Sequence, residues 1–184
     1  MSVELLSIVV LFGVFFLLMF LSVPVSISIG LATIATVHEA LSHNVDEHVD
    51  FDEVFASILR AAATVARAQG DVATSLEGTF GTMDADTAQA LATVLAELVT
   101  NAVEHGLEDR DGLVTVKAHR EGENLEVRII DDGQGLKEGT ILTGLGTQIV
   151  RTLVRGELRG SIDWQPGESG RGTEVVVRAR LKEA

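Results

Sequence analysis

The segment DADTAQALATVLAELVTNAVEHG, residues 84–106, most constrains what this chain can fold into. It begins with the helix-starting residues Asp and Thr and ends at Gly106, a typical helix stop. Apolar side chains recur along it at the three- and four-residue spacing of a helix, at Leu91, Val94, Leu95, Leu98 and Ala102. The segment therefore predicts an amphipathic helix whose apolar side must be buried by other elements of the fold.

The polar side of this helix has an unusual composition. Glu97, Asn101 and His105 follow one another at four-residue intervals, so they lie one turn apart on the same strip. Any mixture of Lys, Glu and Gln would keep a helix surface soluble. A carboxylate, a carboxamide and an imidazole on one strip indicate a binding or catalytic site, and an ordinary solvated helix surface is the alternative interpretation.

The rest of the chain after residue 38 alternates between helical and strand-like periodicity. Apolar and polar residues alternate with period two on both sides of REGE (120–123), which predicts a β-hairpin. The predicted elements are a short strand at HVDF (48–51), a helix over 52–69, a strand and turn over 71–83, hairpin strands over 112–119 and 124–132, a glycine turn that leads into a helix over 143–158, and strands over 160–166 and 173–181. Helices on one face of a mostly antiparallel sheet give an α+β fold, a two-layer α/β sandwich.

The beginning of the chain has a different character from the rest. Residues 5–37 contain no charged side chain, and LLSIVVLFGVFFLLMFLSV is long enough to span a bilayer, since about 20 residues suffice for a helix. Pro24 kinks or ends that helix. A signal peptide is the alternative, but Glu4 stands where a basic start is expected. The sequence therefore predicts an N-terminal hydrophobic helix.

Three parts follow from this division. They are a hydrophobic membrane-anchor segment over residues 1–37, a linker over 38–50 and a folded domain over 51–184.

Composition excludes several kinds of site. The formal net charge is −13, which argues against a nucleic-acid-binding surface because such a surface needs clustered Lys and Arg. The chain has no cysteine, so disulfides and thiolate zinc sites are excluded. An anionic ligand must therefore be held locally, by a metal ion, by backbone N–H groups or by a few placed cations.

Three glycine-containing clusters follow the polar strip in the sequence, each at the boundary of a predicted element. DDGQGL (131–136) ends a strand, GLGTQIV (144–150) opens a helix, and GRGTEVVV (170–177) opens the last strand. Each is a weak signal alone, since most such glycines mark only a turn. Their occurrence together, in this order and after the polar strip, predicts a nucleotide pocket.

The residue types in these clusters suit a nucleotide. Gly144 and Gly146 leave room for backbone next to phosphate, and the helix that follows presents free N–H groups to the anion. Asn101 offers a neutral oxygen of the kind that Mg²⁺ accepts alongside phosphate oxygens. The base would be recognised by a strand-end carboxylate and by small or hydroxyl-bearing residues, namely Asp131, Gly133, Gly135 and Thr173.

Together the four clusters resemble the ATP-binding domain shared by sensor histidine kinases, gyrase, the ninety-kilodalton chaperones and mismatch-repair ATPases, which has the Bergerat (GHKL) fold. ELVTNAVEHG is similar to the N box of that domain, and the three glycine clusters are similar to its three glycine boxes. The resemblance covers about residues 45–181. VHEALSHNVDE, NAVEHG and IVRTLVRGELRGS are most similar to two-component kinases with a HisKA_2-like acceptor domain.

The resemblance implies ATP and Mg²⁺ as ligands and assigns roles to individual residues. It makes Asn101 the magnesium ligand, Glu97 the catalytic base and Asp131 the adenine contact. The other nucleotide-binding residues that it implies are His105, Gly133, Gly135, Lys137, Gly144, Leu145, Gly146, Arg151, Gly172 and Thr173.

Two features depart from the family pattern. Many relatives carry Lys three residues after the magnesium-binding Asn, where this chain has Glu104. Phosphate charge must then be met by His105, Lys137, Arg151 or the helix N-terminus. The segment corresponding to the ATP lid has only eight residues, 136–143, which excludes the elaborate lids of the gyrase-like branch.

The resemblance implies a two-component histidine kinase that transfers the γ-phosphate of ATP to a histidine on a partner, because the sequence contains no acceptor motif. His38, in VHEALS, matches the end of the second acceptor-hairpin helix instead. The expected partners are an acceptor-histidine domain or a response regulator, with a possible homodimer and no nucleic acid. Residues 5–37, which weakly resemble the large membrane subunit of TRAP-type transporters, would anchor the protein with its ATPase domain in the cytoplasm. The alternatives are an anti-sigma-like serine kinase and a non-catalytic membrane-tethered nucleotide binder.

Overall fold

The computed structural model describes residues 48–66, 72–107, 111–135, 144–167 and 170–181. Within these ranges the helices are α1 (Phe51–Ala66), α2 (Ala85–Asn101) and α3 (Leu145–Gly156), and a π-helical turn, Ala102–Gly106, directly continues α2. The strands are β1 (His48–Asp50), β2 (Val72–Gly78), β3 (Thr82–Asp84), β4 (Gly112–Glu121), β5 (Asn124–Asp131), β6 (Ser161–Pro166) and β7 (Thr173–Arg180).

The predicted hydrophobic helix and anchor, residues 1–37, lie outside the described residues, and so does the linker up to residue 47. Among the described residues, no helix has both the length and the apolar character needed to cross a bilayer. The last three linker residues, His48–Asp50, form β1 and pair with β3, which confirms the short strand predicted there.

In the part of the chain that the structure describes, the main sheet has five strands in the order β2-β4-β5-β7-β6. β2 runs parallel to β4, and the other neighbouring strands are antiparallel. β1 and β3 form a separate antiparallel ladder in which Val49 lies opposite Met83. The predicted α+β architecture is therefore confirmed, including the hairpin of β4 and β5.

The core lies between the helices and one face of the main sheet. Alternate residues of β4 and β5 point into it, because successive side chains of a strand face opposite sides. The buried members in these two strands are Val114, Val116, Ala118, Leu125, Val127 and Ile129. α2 contributes the apolar side that its sequence predicts, with Leu91, Val94 and Leu95 fully buried.

The other face of the sheet carries ion pairs. Glu126 contacts both Arg128 and Arg178, at 2.8 Å and 2.9 Å, and Arg128 also contacts the buried Glu174 at 2.9 Å. These pairs join β5 to β7 across the outer surface. They leave this face charged and the opposite, apolar face for the helices.

A carboxylate fixes the start of α1 to the loop between β2 and β3. Asp52 accepts hydrogen bonds from the Thr79 hydroxyl at 2.6 Å and from the backbone N–H groups of Phe80 and Gly81 at 2.9 Å and 3.0 Å. The Phe80 ring lies 5.0 Å from that of Phe51 and packs edge-on to it. These contacts of Asp52 and Phe51 with residues 79–81, called the Asp52 clamp below, hold α1 beside the short β1–β3 ladder.

Candidate functional site

The polar strip lies along α2 and continues into the π-helical turn. Asp84 caps the start of the helix, since its carboxylate accepts a hydrogen bond from the Thr87 backbone N–H at 3.0 Å. Glu97 and Asn101 are half-buried, and His105 is exposed. The strip therefore has a sheltered part, around Glu97 and Asn101, and an open end at His105.

A π-helical turn ends α2, where the sequence predicts a continuous helix to residue 106. The Leu107 backbone N–H donates to the carbonyl of Ala102 at 3.1 Å, which is the five-residue spacing of a π turn. This wider turn changes the angular spacing of Glu104 and His105 relative to Asn101. Such turns occur often at functional sites, and periodicity alone does not reveal them.

The first turn of α3 packs directly on the polar strip. A Cβ atom added at Gly146 would overlap the Glu97 carboxylate. A larger residue at this position would displace the Glu97 side chain or the helix, so Gly146 permits this close approach. The contact brings the second glycine cluster against Glu97, as a shared site requires.

The N-terminus of α3 is available to an anion. Among the described residues, Gly144 occupies the cap position without any side-chain hydrogen bond, and a Cβ added there would meet no atom within 4 Å. Leu145, the next residue, is 75% exposed. The first N–H groups of a helix lack intrahelical partners and carry the positive end of its dipole, so this end can hold phosphate.

Asp131, at the end of β5, is the centre of a second set of contacts. Its carboxylate accepts a hydrogen bond from the Gly133 backbone N–H at 3.0 Å and further hydrogen bonds from the backbone and the hydroxyl of Thr173. Gly106, which ends the π turn, lies so close that an added Cβ would be 2.8 Å from the Asp131 Cγ atom. The first and third glycine clusters thus meet at one carboxylate, beside the end of the polar strip.

Two backbone hydrogen bonds fix these loops to one another. The Gln134 N–H donates to the Gly106 carbonyl and the Gly172 N–H donates to the Gly133 carbonyl, both at 3.0 Å. Gly135 and Gly172 have φ values of 76° and 68°, in the left-handed region that glycine adopts without strain. A Cβ at Gly172 would also overlap the backbone of Asp131. The glycines predicted from the sequence therefore serve close packing of loops.

Burial changes the acidity of Asp131. Desolvation raises the pKa of this carboxyl, although the hydrogen bonds from Gly133 and Thr173 lower it and Asp132 raises it further. The side chain is 4% exposed. A shielded carboxylate of this kind can accept a hydrogen bond from an exocyclic amine of a base, in the absence of competing water.

The predicted cations differ in their placement. The Arg151 guanidinium lies 4.4 Å from the centroid of the Trp164 ring and stacks on it. His105 is exposed beside the half-buried part of the strip, and Lys137 lies outside the described residues. The described part of the site therefore offers the N–H groups of α3 to phosphate more directly than it offers side-chain cations.

The residues present suit a Mg²⁺ ion that binds together with the phosphates of a nucleotide. Among the described residues, no group of three or more His, Cys, Asp or Glu side chains is arranged to hold a metal ion. Asn101 provides a single neutral oxygen on the sheltered part of the strip. Mg²⁺ commonly takes one or two protein ligands and completes its shell with phosphate oxygens and water, so the donor set suits a metal bound together with phosphates.

Two residues at the site have roles that the sequence pattern does not predict. The pattern marks Gly106 only as a helix stop. In the structure its carbonyl accepts a hydrogen bond from the loop after Asp131, and its lack of a side chain leaves room for the Asp131 carboxylate. Glu104 stands out in the sequence only as a departure from the family pattern, without a role of its own. Its Oε1 atom is buried and has no hydrogen-bond partner among the described residues.

Comparison with known proteins agrees with this geometry. Residues 86–183 match the family described as histidine kinase-, DNA gyrase B- and HSP90-like ATPases. The chain is 44% identical over 154 residues to the sensor histidine kinase PdtaS of Mycolicibacterium smegmatis, a match that covers 81% of this chain and 31% of the relative. It is 35% identical over 48 residues to the anti-sigma F factor of Thermoanaerobacter pseudethanolicus, covering 26% of this chain and 34% of that one.

A solved structure shows the same fold. The histidine kinase domain of the Erythrobacter litoralis blue-light-activated histidine kinase superposes with a TM-score of 0.71 at 24% identity, covering 85% of this chain and 75% of that one. The chain spans about a third of the length of the PdtaS relatives. Because the family match covers more than half of its length and the four clusters assemble as described, the chain belongs to the histidine kinase-, DNA gyrase B- and HSP90-like ATPases.

Proposed function

We propose that this protein binds ATP with Mg²⁺ and transfers the γ-phosphate to a histidine of a partner. The observation that carries the proposal is the contact between Gly146 and Glu97, which places the anion-binding end of α3 on the strip that holds Asn101. The similarity to the PdtaS sensor histidine kinases supports histidine as the acceptor.

The residues divide into three roles in this proposal. Asp131, held by Gly133 and Thr173, accepts a hydrogen bond from the adenine amine. The N–H groups of α3 bind phosphate oxygens, and Asn101 binds the metal ion through its side-chain oxygen. Mg²⁺, when bound, offsets the charge of the phosphates and so makes the γ-phosphate easier to attack.

Glu97 acts on the incoming nucleophile. It lies one turn before Asn101 on α2, so its carboxylate is next to the metal-binding position. As a general base it accepts the proton from the ring nitrogen opposite the attacking one, as the attacking nitrogen bonds to the γ-phosphorus and ADP leaves, and its hydrogen bond to that N–H also holds the imidazole in the reactive tautomer. The packing of Gly146 against the carboxylate restricts its motion, which keeps it aimed at the transferred group.

Radiolabel transfer tests the proposal. The full chain, kept in a non-ionic detergent, is incubated with γ-labelled ATP, Mg²⁺ and a separately purified acceptor hairpin of a sensor kinase. We expect acid-labile, alkali-stable label on the acceptor histidine, and much less with Asn101→Ala. The matched control is Asn124→Ala, at an exposed position of β5, which should transfer label normally. Absence of label on histidine would reject the proposal.

A serine kinase is the second candidate, and the similarity to the anti-sigma F factor favours it. The same incubation with an anti-sigma antagonist protein in place of the hairpin distinguishes the two kinases. Acid-stable label on serine, without label on histidine, would support the serine kinase. Adenine-nucleotide binding without transfer to either acceptor would instead support the non-catalytic nucleotide binder.

We also propose that residues 5–37 anchor the protein in a membrane with the ATPase domain on the cytoplasmic side. Support comes from the uncharged sequence of this segment and from the cytoplasmic location of ATP. Membrane fractionation followed by protease treatment of intact cells tests both parts. The chain should sediment with membranes and resist external protease. Recovery in the soluble fraction would contradict anchoring, and cleavage in intact cells would contradict the orientation.

A further inference from the structure

Glu104 carries a carboxylate that the proposed mechanism does not use. It lies in the π turn after α2, and its Oε1 atom is buried without a hydrogen-bond partner among the described residues. Burial raises the pKa of this carboxyl, the neighbouring His105 lowers it, and Glu97 raises it. A buried acidic oxygen without a partner is unfavourable for folding, so its presence needs an explanation.

The position of Glu104 suggests that explanation. Glu97 precedes Asn101 by one turn and Glu104 follows it by three residues, so two carboxylates flank the proposed metal-binding amide. The Glu97 charge adds to burial in raising the pKa of Glu104. The first turn of α3 meets this region through Gly146. Phosphates held at α3 would therefore lie beside a doubly acidic stretch of helix.

Few positive side chains oppose these carboxylates in the described part of the chain. Arg151 stacks on the Trp164 ring, and the exposed His105 is the basic residue next to Glu104. The helix end attracts phosphate, and the carboxylates repel it. A partly buried charge acts over several ångströms because water screens it less than it screens a surface charge.

We propose that Glu104, together with Glu97, makes the site select the metal complex of the nucleotide over the free nucleotide. The inference rests on the proposed function, since it concerns the same phosphate site. A metal-free triphosphate meets two like charges beside Asn101. A divalent cation offsets much of the phosphate charge and is itself attracted to both carboxylates. Glu104 is thus a specificity-determining residue, acting on the charge state of the ligand.

Binding measurements with and without metal test this inference. The full chain in non-ionic detergent is titrated with a non-hydrolysable ATP analogue, once with excess Mg²⁺ and once with EDTA, and the ratio of the metal-free Kd to the Mg²⁺ Kd is taken. We expect Glu104→Gln and Glu104→Ala each to lower this ratio about tenfold. The control is Glu121→Gln, which removes the same charge at the exposed hairpin end of β4, away from Asp131, and should leave the ratio unchanged.

The outcomes separate this inference from the proposed function. A wild-type chain that fails to bind the Mg²⁺ complex overturns the proposed function. If the wild-type chain binds the complex, and both Glu104 variants are folded with a Kd ratio within twofold of the wild-type ratio, only the role of Glu104 is overturned. A measurement on the wild-type chain adds a test that needs no variant. The ratio of the metal-free Kd to the Mg²⁺ Kd should fall as the salt concentration is raised, because screening weakens the repulsion between the carboxylates and the free triphosphate. A ratio independent of salt concentration would also overturn the inference.

Discussion

The backbone of Gly146 lies against the carboxylate of Glu97, so the first turn of α3 rests on the C-terminal part of α2. This relationship joins the second glycine cluster to the polar strip. It also places the N–H groups that can hold phosphate beside the carboxylate that can act on the nucleophile. Nucleotide binding and catalysis should therefore both depend on the absence of a side chain at residue 146.

Gly146→Ala should lower the affinity for the Mg²⁺–nucleotide complex about tenfold, as expected for overpacking of a tight contact. The added methyl group overlaps the Glu97 carboxylate, so α3 must move away from α2 or Glu97 must turn out of the site. The control is Gly156→Ala at the other end of the same helix, where an added Cβ meets no atom of the described residues within 4 Å. Calorimetric titration measures both variants, and equal affinities would contradict the importance of this contact.

Glu97→Gln should lower the rate of phosphotransfer on the order of a hundredfold, because it removes the base. The nucleotide affinity should stay within a few-fold of the wild-type value, because the substitution keeps the shape of the side chain. Single-turnover transfer to the acceptor hairpin and equilibrium titration of the nucleotide provide the two measurements. Glu157→Gln, at the exposed end of α3, is the charge-matched control. A variant that transfers phosphate at the wild-type rate would exclude Glu97 as the base.

Asp52→Asn should destabilise the domain by about 1 kcal/mol at neutral pH, because an amide oxygen accepts the hydrogen bonds from Thr79, Phe80 and Gly81 less strongly than a carboxylate does. Burial raises the pKa of Asp52, but these three hydrogen bonds outweigh burial and lower it from its ordinary value of 3.8. The stabilisation is therefore present above that value and is lost as the pH falls through the lowered pKa.

Urea unfolding at neutral and acidic pH measures this effect. The difference between wild type and Asp52→Asn should shrink as the pH falls below 3.8. Asp86→Asn is a matched control, since Asp86 is also an aspartate in the first turn of a helix but is exposed. A loss of stability of the same size in both variants would attribute the effect to the helix dipole instead of the Asp52 clamp.

Asp131 should contribute to the stability of the domain with a pH dependence opposite to that of Asp52, and Asp131→Asn tests this. Burial raises the pKa of Asp131 above 3.8, so the folded state holds this proton more tightly than the unfolded state does. Wild-type stability should then decrease as the pH rises from that value through the raised pKa, and the asparagine variant should lack this decrease. Urea unfolding over the same pH series measures it. A constant difference between the two proteins would contradict the raised pKa.

Much of the fold could be predicted from local patterns. The apolar spacing of α2, the alternation in β4 and β5 and the glycines at element boundaries each depend on a few neighbouring residues. The helical segment over 52–69 corresponds to α1, and the hairpin predicted around REGE is present. These features are visible in the sequence because burial of one face imposes a period on every amphipathic element.

The candidate site could be predicted only as a set of residues. Their order in the chain identifies the family, but the distances between them depend on how α3 and the loop before β7 pack against α2. Arg151 illustrates the limit. Its place in the sequence, directly after the second glycine cluster, makes it a candidate for phosphate, but the packing of α3 on β6 stacks it over Trp164.

By itself the sequence determined most of the elements, their order and the chemistry of the four clusters, because periodicity, helix caps and glycine turns are local properties of the chain; it did not predict β3 as a separate strand or the π-helical turn. Only the tertiary structure decided that Gly146 rests on Glu97, that Gly106 rests on Asp131, and that Glu104 keeps a buried oxygen without a partner among the described residues. The physical reason is that these contacts join segments distant in sequence. Their geometry is set by the packing of the helices on the sheet.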